Sequence, residues 1–418
     1  SLQLSETTPL IREDTSINVI PSSDDTTPTP SPDTPPPRKR MLSLDTARGL
    51  TIFGMILVDN QGGPEVIWPL SETNWNGIST ADLIFPSFLF ICGFSIALAL
   101  KNAKKNDRAT WINIIRRTIL LFGIQLFLNL MAHKFVFSTF RVMGVLQRIS
   151  ICYFFSCCSF LLLPKWAQRL ALIGSATIYL GLMYGYPVPG CGRGDITPTC
   201  NAAAYIDNLI LRKNIHILTQ SYRMHPTDPE GIVSTFSAYI TTWMGLELGR
   251  VFTTYYKKSD DDYKNILLRW LGIGLVCGIG AAMFSATIIP FNKKIWSFSF
   301  ALLTVACGAL FMSWAYLTFD VVAWPPKVKV WVDRAAQPFL WIGMNPITIY
   351  VLMIFIEIIL MFYIRANNQT LWYESYLVLY KSWLRNGYLA SLVFSIGWFL
   401  FFDAIAYTMF RFKIFVKL

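Results

Sequence analysis

Residues 79–100 read STADLIFPSFLFICGFSIALAL, and this stretch decides the fold. After Asp82 it continues to Leu100 without a charged residue. At about 1.5 Å per residue, a helix of this length covers roughly 30 Å, the hydrocarbon thickness of a bilayer. Asp82 at its start suits the positive end of a helix dipole. Comparable runs recur on both sides. The spacing predicts ten membrane-spanning helices, at 45–60, 79–100, 113–132, 142–163, 168–187, 232–252, 267–289, 296–318, 338–363 and 389–410. Helices are required because lipid satisfies no open backbone group. The expected fold is therefore an all-α polytopic bundle.

Composition supports the same class. The 418 residues are 54% hydrophobic and 15% charged, against about 25% charged in soluble domains. Mean hydropathy is +0.44. A soluble enzyme, a wholly disordered chain and a secreted disulfide scaffold are excluded. The net charge of +11 fits loops facing anionic lipid. No basic patch with interleaved aromatics points to nucleic acid.

Two regions follow. Residues 1–40 are rich in Ser, Thr, Pro and Asp and hold no aromatic residue, so they are expected to be a disordered cytosolic tail. Within them Glu6-Thr-Thr-Pro-Leu10-Ile11 fits an acidic dileucine address for lysosomes or vacuoles. Residues 41–418 form the membrane domain, with one long loop at about 188–231. Lys and Arg fall about two to one on the side that holds residue 40, which puts both termini in the cytosol. Two features then land in the lumen. One is the sequon Asn368-Gln-Thr370; the other is the pair Cys191 and Cys200, where oxidising conditions allow a disulfide. The other six cysteines lie in apolar runs and read as small hydrophobes.

Ionisable groups inside spans are costly, so they are functional candidates by default. Asp45 and Arg48 share one helical face, Asp59 and Asn60 close the first span, and Arg148 lies within the fourth. Glu72, Trp75, Asn76 and Asp82 cluster around the next loop; Asn292, Lys293 and Lys294 precede Trp296; Asn345 lies inside the ninth span. Each has a plainer reading. Asp45 caps a helix, Arg48 snorkels to headgroups, the lysines sit in interfacial water, and Arg148 is one half of a structural pair. The three histidines, His133, His216 and His225, have no partner at ligand spacing, so no metal site is expected.

Six segments in order carry a resemblance. They are Ser43-Leu-Asp45-Thr-Ala-Arg48-Gly49, Trp75-Asn76-Gly77 with Ala81-Asp82-Leu-Ile-Phe-Pro86, and Gly144-Val-Leu-Gln147-Arg148. Then come Asp228-Pro-Glu230-Gly231, Pro290-Phe-Asn292-Lys293-Lys-Ile-Trp296-Ser297, and Gly343-Met-Asn345. In these the chain resembles the heparan-alpha-glucosaminide N-acetyltransferase family of transmembrane acyltransferases, from about residue 40 onward. The resemblance implies transfer of an acetyl group from cytosolic acetyl-CoA to a lumenal amino-sugar or hydroxyl acceptor, in a lysosomal or vacuolar membrane. It also implies that the family's N-terminal lumenal domain and first helix are missing here.

On that resemblance, Arg48, Arg148, Gln147 and Asn345 are expected to contact the polyanionic acetyl-CoA. Trp75, Asp82, Asp228, Glu230, Asn292, Lys293 and Trp296 are expected around the acceptor. Asn60, Asn76 and Asn345 are candidate oxyanion donors. The family's catalytic histidine falls at Glu72 here, and its loop asparagine at Asp59 or Asn60. A Glu acts as a base if burial raises its pKa, so Glu72 is the expected base, with Asp59, Asn60 and Asn76 beside it. Expected partners are membrane lipid, the acyl donor and a sugar-like acceptor, with no nucleic acid; a homodimer is left open. The competing reading is a non-catalytic transporter or small-molecule binder. The enzyme reading demands one cavity joining both faces, lined by Glu72 and a buried arginine.

Overall fold

A computed structural model describes residues 41–137, 141–212, 227–258 and 261–416. The tail with its dileucine, together with His216, His225 and much of the long loop, lies outside the described residues.

The apolar runs form helices as their length requires. They are α1 (Leu42–Asp59), α2 (Thr80–Leu100), α3 (Arg108–Ala132), α4 (Val145–Leu162), α5 (Lys165–Gly185), a short α6 (Ala202–Asp207) and α7 (Ile232–Tyr255). Then follow α8 (Asp262–Thr287), α9 (Phe298–Tyr316), α10 (Pro326–Met344), α11 (Pro346–Ile358), α12 (Leu371–Tyr376) and α13 (Gly387–Arg411). Seven are long and apolar enough to cross a bilayer: α2, α3, α4, α8, α9, α11 with its π-helical extension to Tyr363, and α13. The 18, 21 and 24 residues of α1, α5 and α7 also suffice in length, but charges such as Asp45, Arg48, Arg169 and Glu247 lower their hydropathy. The fold is an all-α polytopic bundle. Among the described residues one hairpin pairs β1 (Arg365–Ala366) with β2 (Gln369–Thr370).

The ninth expected span, 338–363, is not one helix. The backbone breaks at Asn345 (φ −132°, ψ 48°), ahead of Pro346. Proline has no N–H and biases the residue before it away from helix. Asn345 uses the break to hold the chain's end: Nδ2 donates to the Ile414 carbonyl at 3.0 Å, and Oδ1 accepts from Val416 N at 2.9 Å. The amphipathic α10 thus packs on the first half of α1, and α11 makes the crossing. At the α1–α10 contact the backbones touch. A Cβ on Gly49 would stand 1.7 Å from the Phe339 oxygen, and one on Gly343 would stand 1.8 Å from the Asp45 oxygen.

The crossings sort the connections into two ends. At one end the loops after α1, α3, α5 and α8 bind one another: Gly77 N donates to the Phe291 oxygen, and Trp75 Nε1 to that of Ile196. At the other end lie the starts of α1 and α10 and the C-terminal tail, joined by Ser43 N to Asp320 and by Asn345. Residues 41 and 416 therefore share one end.

Candidate functional site

The first of these ends carries most of the polar groups singled out in the sequence. Asp82 begins α2, and its Oδ2 accepts from Ser79 N, Ser79 Oγ, Thr73 N and Thr73 Oγ1 at 2.9–3.2 Å. This capping fixes the α1–α2 loop against the helix. The loop after α8 folds back on it. Lys293 Nζ donates to Glu72 Oε1 at 2.5 Å and stands 3.7 Å from Asp82 Oδ1, while Lys294 Nζ donates to Glu72 Oε2 at 2.6 Å. Asn292 Nδ2 donates to Asn76 Oδ1 at 3.0 Å, which leaves the Asn76 amide group free to donate. Trp296, with φ +46°, closes the loop and is buried.

A second polar layer adjoins it. Arg141 forms ion pairs with Asp228 and Glu230 across 87 and 89 residues of sequence. Arg148 is fully buried at the start of α4. It donates to the Gly231 oxygen and Ser234 Oγ, and its guanidinium lies 5.0 Å from the Trp296 ring centre. Its Nε and Nη1 have no partner. Asp207, at the end of α6, accepts from Ile232 N and Val233 N at the start of α7. Burial pushes its carboxyl up to about 7, outweighing those two N–H groups.

Asp59 occupies the middle of this arrangement. It ends α1, within electrostatic reach of Glu72, Lys293 and Glu230, which come from three different connections. Protein surrounds it, yet its surface stays open. Among the described residues it makes no hydrogen bond or ion pair. Tyr350 on α11 is within reach of Asp59 and Glu230. Beside Tyr350 an apolar crevice too narrow to admit water lies between α1, α2, α4 and α11, lined by Ile52, Met55, Phe88 and Ile149. Beside Asp59, Asn60 is buried; its Nδ2 donates to the Ile56 oxygen and its Oδ1 has no partner.

Several expectations change. Burial alone would raise the pKa of Glu72, as a base requires. The ammonium groups of Lys293 and Lys294 outweigh it and hold the carboxyl down at about 2. Lys293 is itself held up, because Glu72 overcomes the cost of its burial. Glu72 is thus a neutralised ion-pair partner, poorly suited to take a proton. Nor does it line the crevice, which is apolar. Arg48 and Arg148 cannot share one ligand contact, because three crossings separate them. Arg48 lies near the start of α1, bound to Asp45 at 2.9 Å and Ser95 Oγ at 2.7 Å. Asn345 is at that same end, with its amide occupied by the C-terminal tail. Gln147 is buried with neither amide atom partnered.

Sequence reasoning overlooked Arg141, Asp207, Thr73 and Tyr350. Arg141 directly follows a run of polar and aromatic residues outside any span, and nothing local marks its distant acidic partners. Asp207 carried a weak signal, as a carboxylate three residues after a run of three alanines in a polar loop. The long loop does contain the disulfide Cys191–Cys200. Asn368 is exposed at the tip of the hairpin, with φ +63°. Among the described residues no three His, Cys, Asp or Glu side chains converge as metal ligands.

Residues 40–191 match the family model described as heparan-alpha-glucosaminide N-acetyltransferase, catalytic. The chain is 30% identical over 365 residues to the human heparan-alpha-glucosaminide N-acetyltransferase, covering 76% of this chain and 52% of the human one. It is 29% identical over 361 residues to the mouse protein of the same name, covering 75% of this chain and 53% of that one. The chain thus spans about half the length of these curated relatives.

Proposed function

We propose, from the family-model match over residues 40–191 and the likeness to the human and mouse enzymes, that the chain is a membrane acyltransferase of the heparan-alpha-glucosaminide N-acetyltransferase family. It would move an acetyl or other acyl group from acyl-CoA, entering at the Arg48 end, to an amino-sugar or hydroxyl acceptor at the Asp59 end. With residue 41 in the cytosol, the acceptor end is lumenal, and the address in the tail points to a lysosomal or vacuolar membrane. The observation that carries this reading is Asp59, a carboxylate without a hydrogen bond or ion pair among the described residues and within electrostatic reach of Glu72, Lys293 and Glu230; the proposed recess for the acceptor lies beside it.

The residues divide the work as follows. The acceptor's nucleophile, amine or hydroxyl, binds in the recess and attacks the thioester carbonyl carbon. Asp59 accepts the proton that it loses. The free amide of Asn76, held by Asn292, donates to the oxygen as it gains charge. The carbon–sulfur bond breaks, and the thiolate leaves with CoA toward the Arg48 end. Arg141, Asp228 and Glu230 offer a fixed polar wall for sugar hydroxyls. Glu72 keeps Lys293 charged and in place instead of acting as the base. Lys293 then stands as the cation nearest the carboxylate of Asp59.

Purified protein incubated with labelled acetyl-CoA and a panel of amino-sugars tests this. Transfer to at least one acceptor, lost on Asp59→Asn, is the expected result. No transfer to any acceptor would move the assignment to the binder reading.

A further inference from the structure

Where α13 ends, the chain turns back on itself and leaves a groove. Lys413 N donates to the Phe410 oxygen at 3.0 Å and Ile414 N to that of Met409 at 2.8 Å, with Lys413 at φ +55°. This pair of bonds closes many helices, and glycine is the usual residue in the left-handed position. Here that residue is a lysine. The returning segment is pinned by Asn345, which holds the Ile414 oxygen and Val416 N. On another face of the helix, Tyr407 and Phe410 pack on Trp341 of α10, with ring centres 4.7 and 6.5 Å apart. Between the fixed helix and Ile414 lies a cavity of about 290 Å³, lined by Phe401, Ala404, Ile405, Thr408, Met409 and Ile414. The one hydroxyl in that lining, of Thr408, already donates to the Ala404 oxygen at 2.8 Å. Phe401, Ala404, Thr408 and Ile414 are exposed, so the cavity opens toward lipid.

Depth and charge narrow what fits. Phe401 lies ten residues before Arg411, so at about 1.5 Å per residue the cavity reaches roughly 15 Å from the helix end. That is half of the hydrocarbon thickness of about 30 Å, or one leaflet. Arg411, three residues beyond Thr408, and Lys413, next to Ile414, bracket the mouth. Both are exposed, and neither side chain has a hydrogen bond or ion pair among the described residues. Asp403, the sole acid from Gly387 to Leu418, is absent from the lining. Two cations without a counter-charge, above an apolar slot one leaflet deep, match an anion that carries a long hydrocarbon chain.

We propose that this cavity binds one acyl chain of an anionic phospholipid, with the headgroup held between Arg411 and Lys413. On the orientation proposed above it belongs to the cytosolic leaflet, where anionic headgroups are concentrated. The site stands apart from the transferase reading. Asn345, expected at the acyl donor, serves here as a strut for the second wall of the groove. A zwitterionic phospholipid offers the chain but no net charge, and a sterol offers neither.

Photolabelling tests it. The purified full chain is placed in phosphatidylcholine nanodiscs with a trace of phosphatidylserine or phosphatidylcholine bearing the same diazirine-tagged acyl chain, irradiated, and mapped by peptide mass spectrometry. The serine lipid should label the Phe401–Ile414 stretch about five-fold more than the choline lipid. The exposed face of α8 at Leu275 and Val276 should take both equally. Arg411→Gln combined with Lys413→Gly, which keeps the turn, should bring the serine lipid down to the choline level. Ala404→Trp, at an exposed lining position, should lower labelling of the stretch by both lipids. If a variant does not fold, the comparison of the two lipids on the wild type still decides. Equal labelling by both lipids, a serine preference that survives the loss of both cations, unchanged labelling in Ala404→Trp, or displacement by cholesterol would each overturn the proposal.

Discussion

Replacing Glu72 by Gln separates a base from an ion-pair partner. The carboxyl is held at about 2 against an ordinary 4.5. At full strength that difference is worth about 3 kcal/mol. The side chain is 37% exposed, so screening by water reduces it to about 1 kcal/mol. Losing Glu72 also leaves Lys293, whose side chain is 9% exposed, with Asp82 at 3.7 Å. The expected result is a fall in unfolding temperature of about 1–3 °C, with transfer reduced less than about ten-fold. A depressed carboxyl stabilises the fold above its unfolded pKa, and that contribution fades as pH falls from 4.5 toward 2. Wild type should therefore lose its advantage over Glu72→Gln below about pH 4.5. Thermal unfolding in detergent from pH 3 to 7, alongside transfer from labelled acetyl-CoA, measures both. A loss of transfer of about a hundred-fold or more with an unchanged unfolding profile would restore Glu72 as the base and refute the ion-pair argument.

Asp59→Asn should cut transfer by about 10²–10⁴-fold with little change in unfolding temperature, because the carboxylate holds no structural partner; an assay of both quantities on the same preparation checks this. Asp207 should give an opposite pH trend. Its raised carboxyl, at about 7, keeps a proton in the fold that the unfolded chain has already lost, so stability should drop as pH climbs from about 4 to 7. Asp207→Asn should flatten that slope in a pH series of melting curves. Gly343→Ala should misplace α10, because its Cβ would meet the Asp45 oxygen at 1.8 Å; severe loss of folded yield by size exclusion is expected. Reducing Cys191–Cys200, nine residues apart, should destabilise the loop by about 2–3 kcal/mol, read as faster proteolysis there.

The helices were legible because bilayer thickness sets their length, and α2 or α8 needs nothing more than a count of apolar residues. The break at Asn345 was written in the residue before Pro346, but it sits inside an otherwise continuous apolar run and was read through. Arg48 and Arg148 were grouped by type. Counting α1, α2 and α3 between them would have sent them to opposite ends. Glu72 is the instructive case. It stands three residues before Trp75, yet its proton affinity is set by Lys293 and Lys294, more than two hundred residues away. Long-range partners of this kind, like those of Arg141, have no local signature.

The ionic groups do not meet in one chamber, and their separation is itself informative. At the Asp59 end the lysines pair with Glu72 and Asp82, and Arg141 with Asp228 and Glu230; Asp59 stays without an ion pair, and the buried Arg148 keeps Nε and Nη1 unpartnered. At the opposite end Asp45 pairs with Arg48, while Arg117 Nε and Asp403 Oδ1 have no partner. An unpaired ionic group costs stability inside a bundle, so each of these positions is a place to test for a ligand of opposite charge. The apolar crevice from Tyr350 past Met55 and Ile149 is closed to water, so a donor arm that passes between the two ends requires α1, α2, α4 and α11 to move apart.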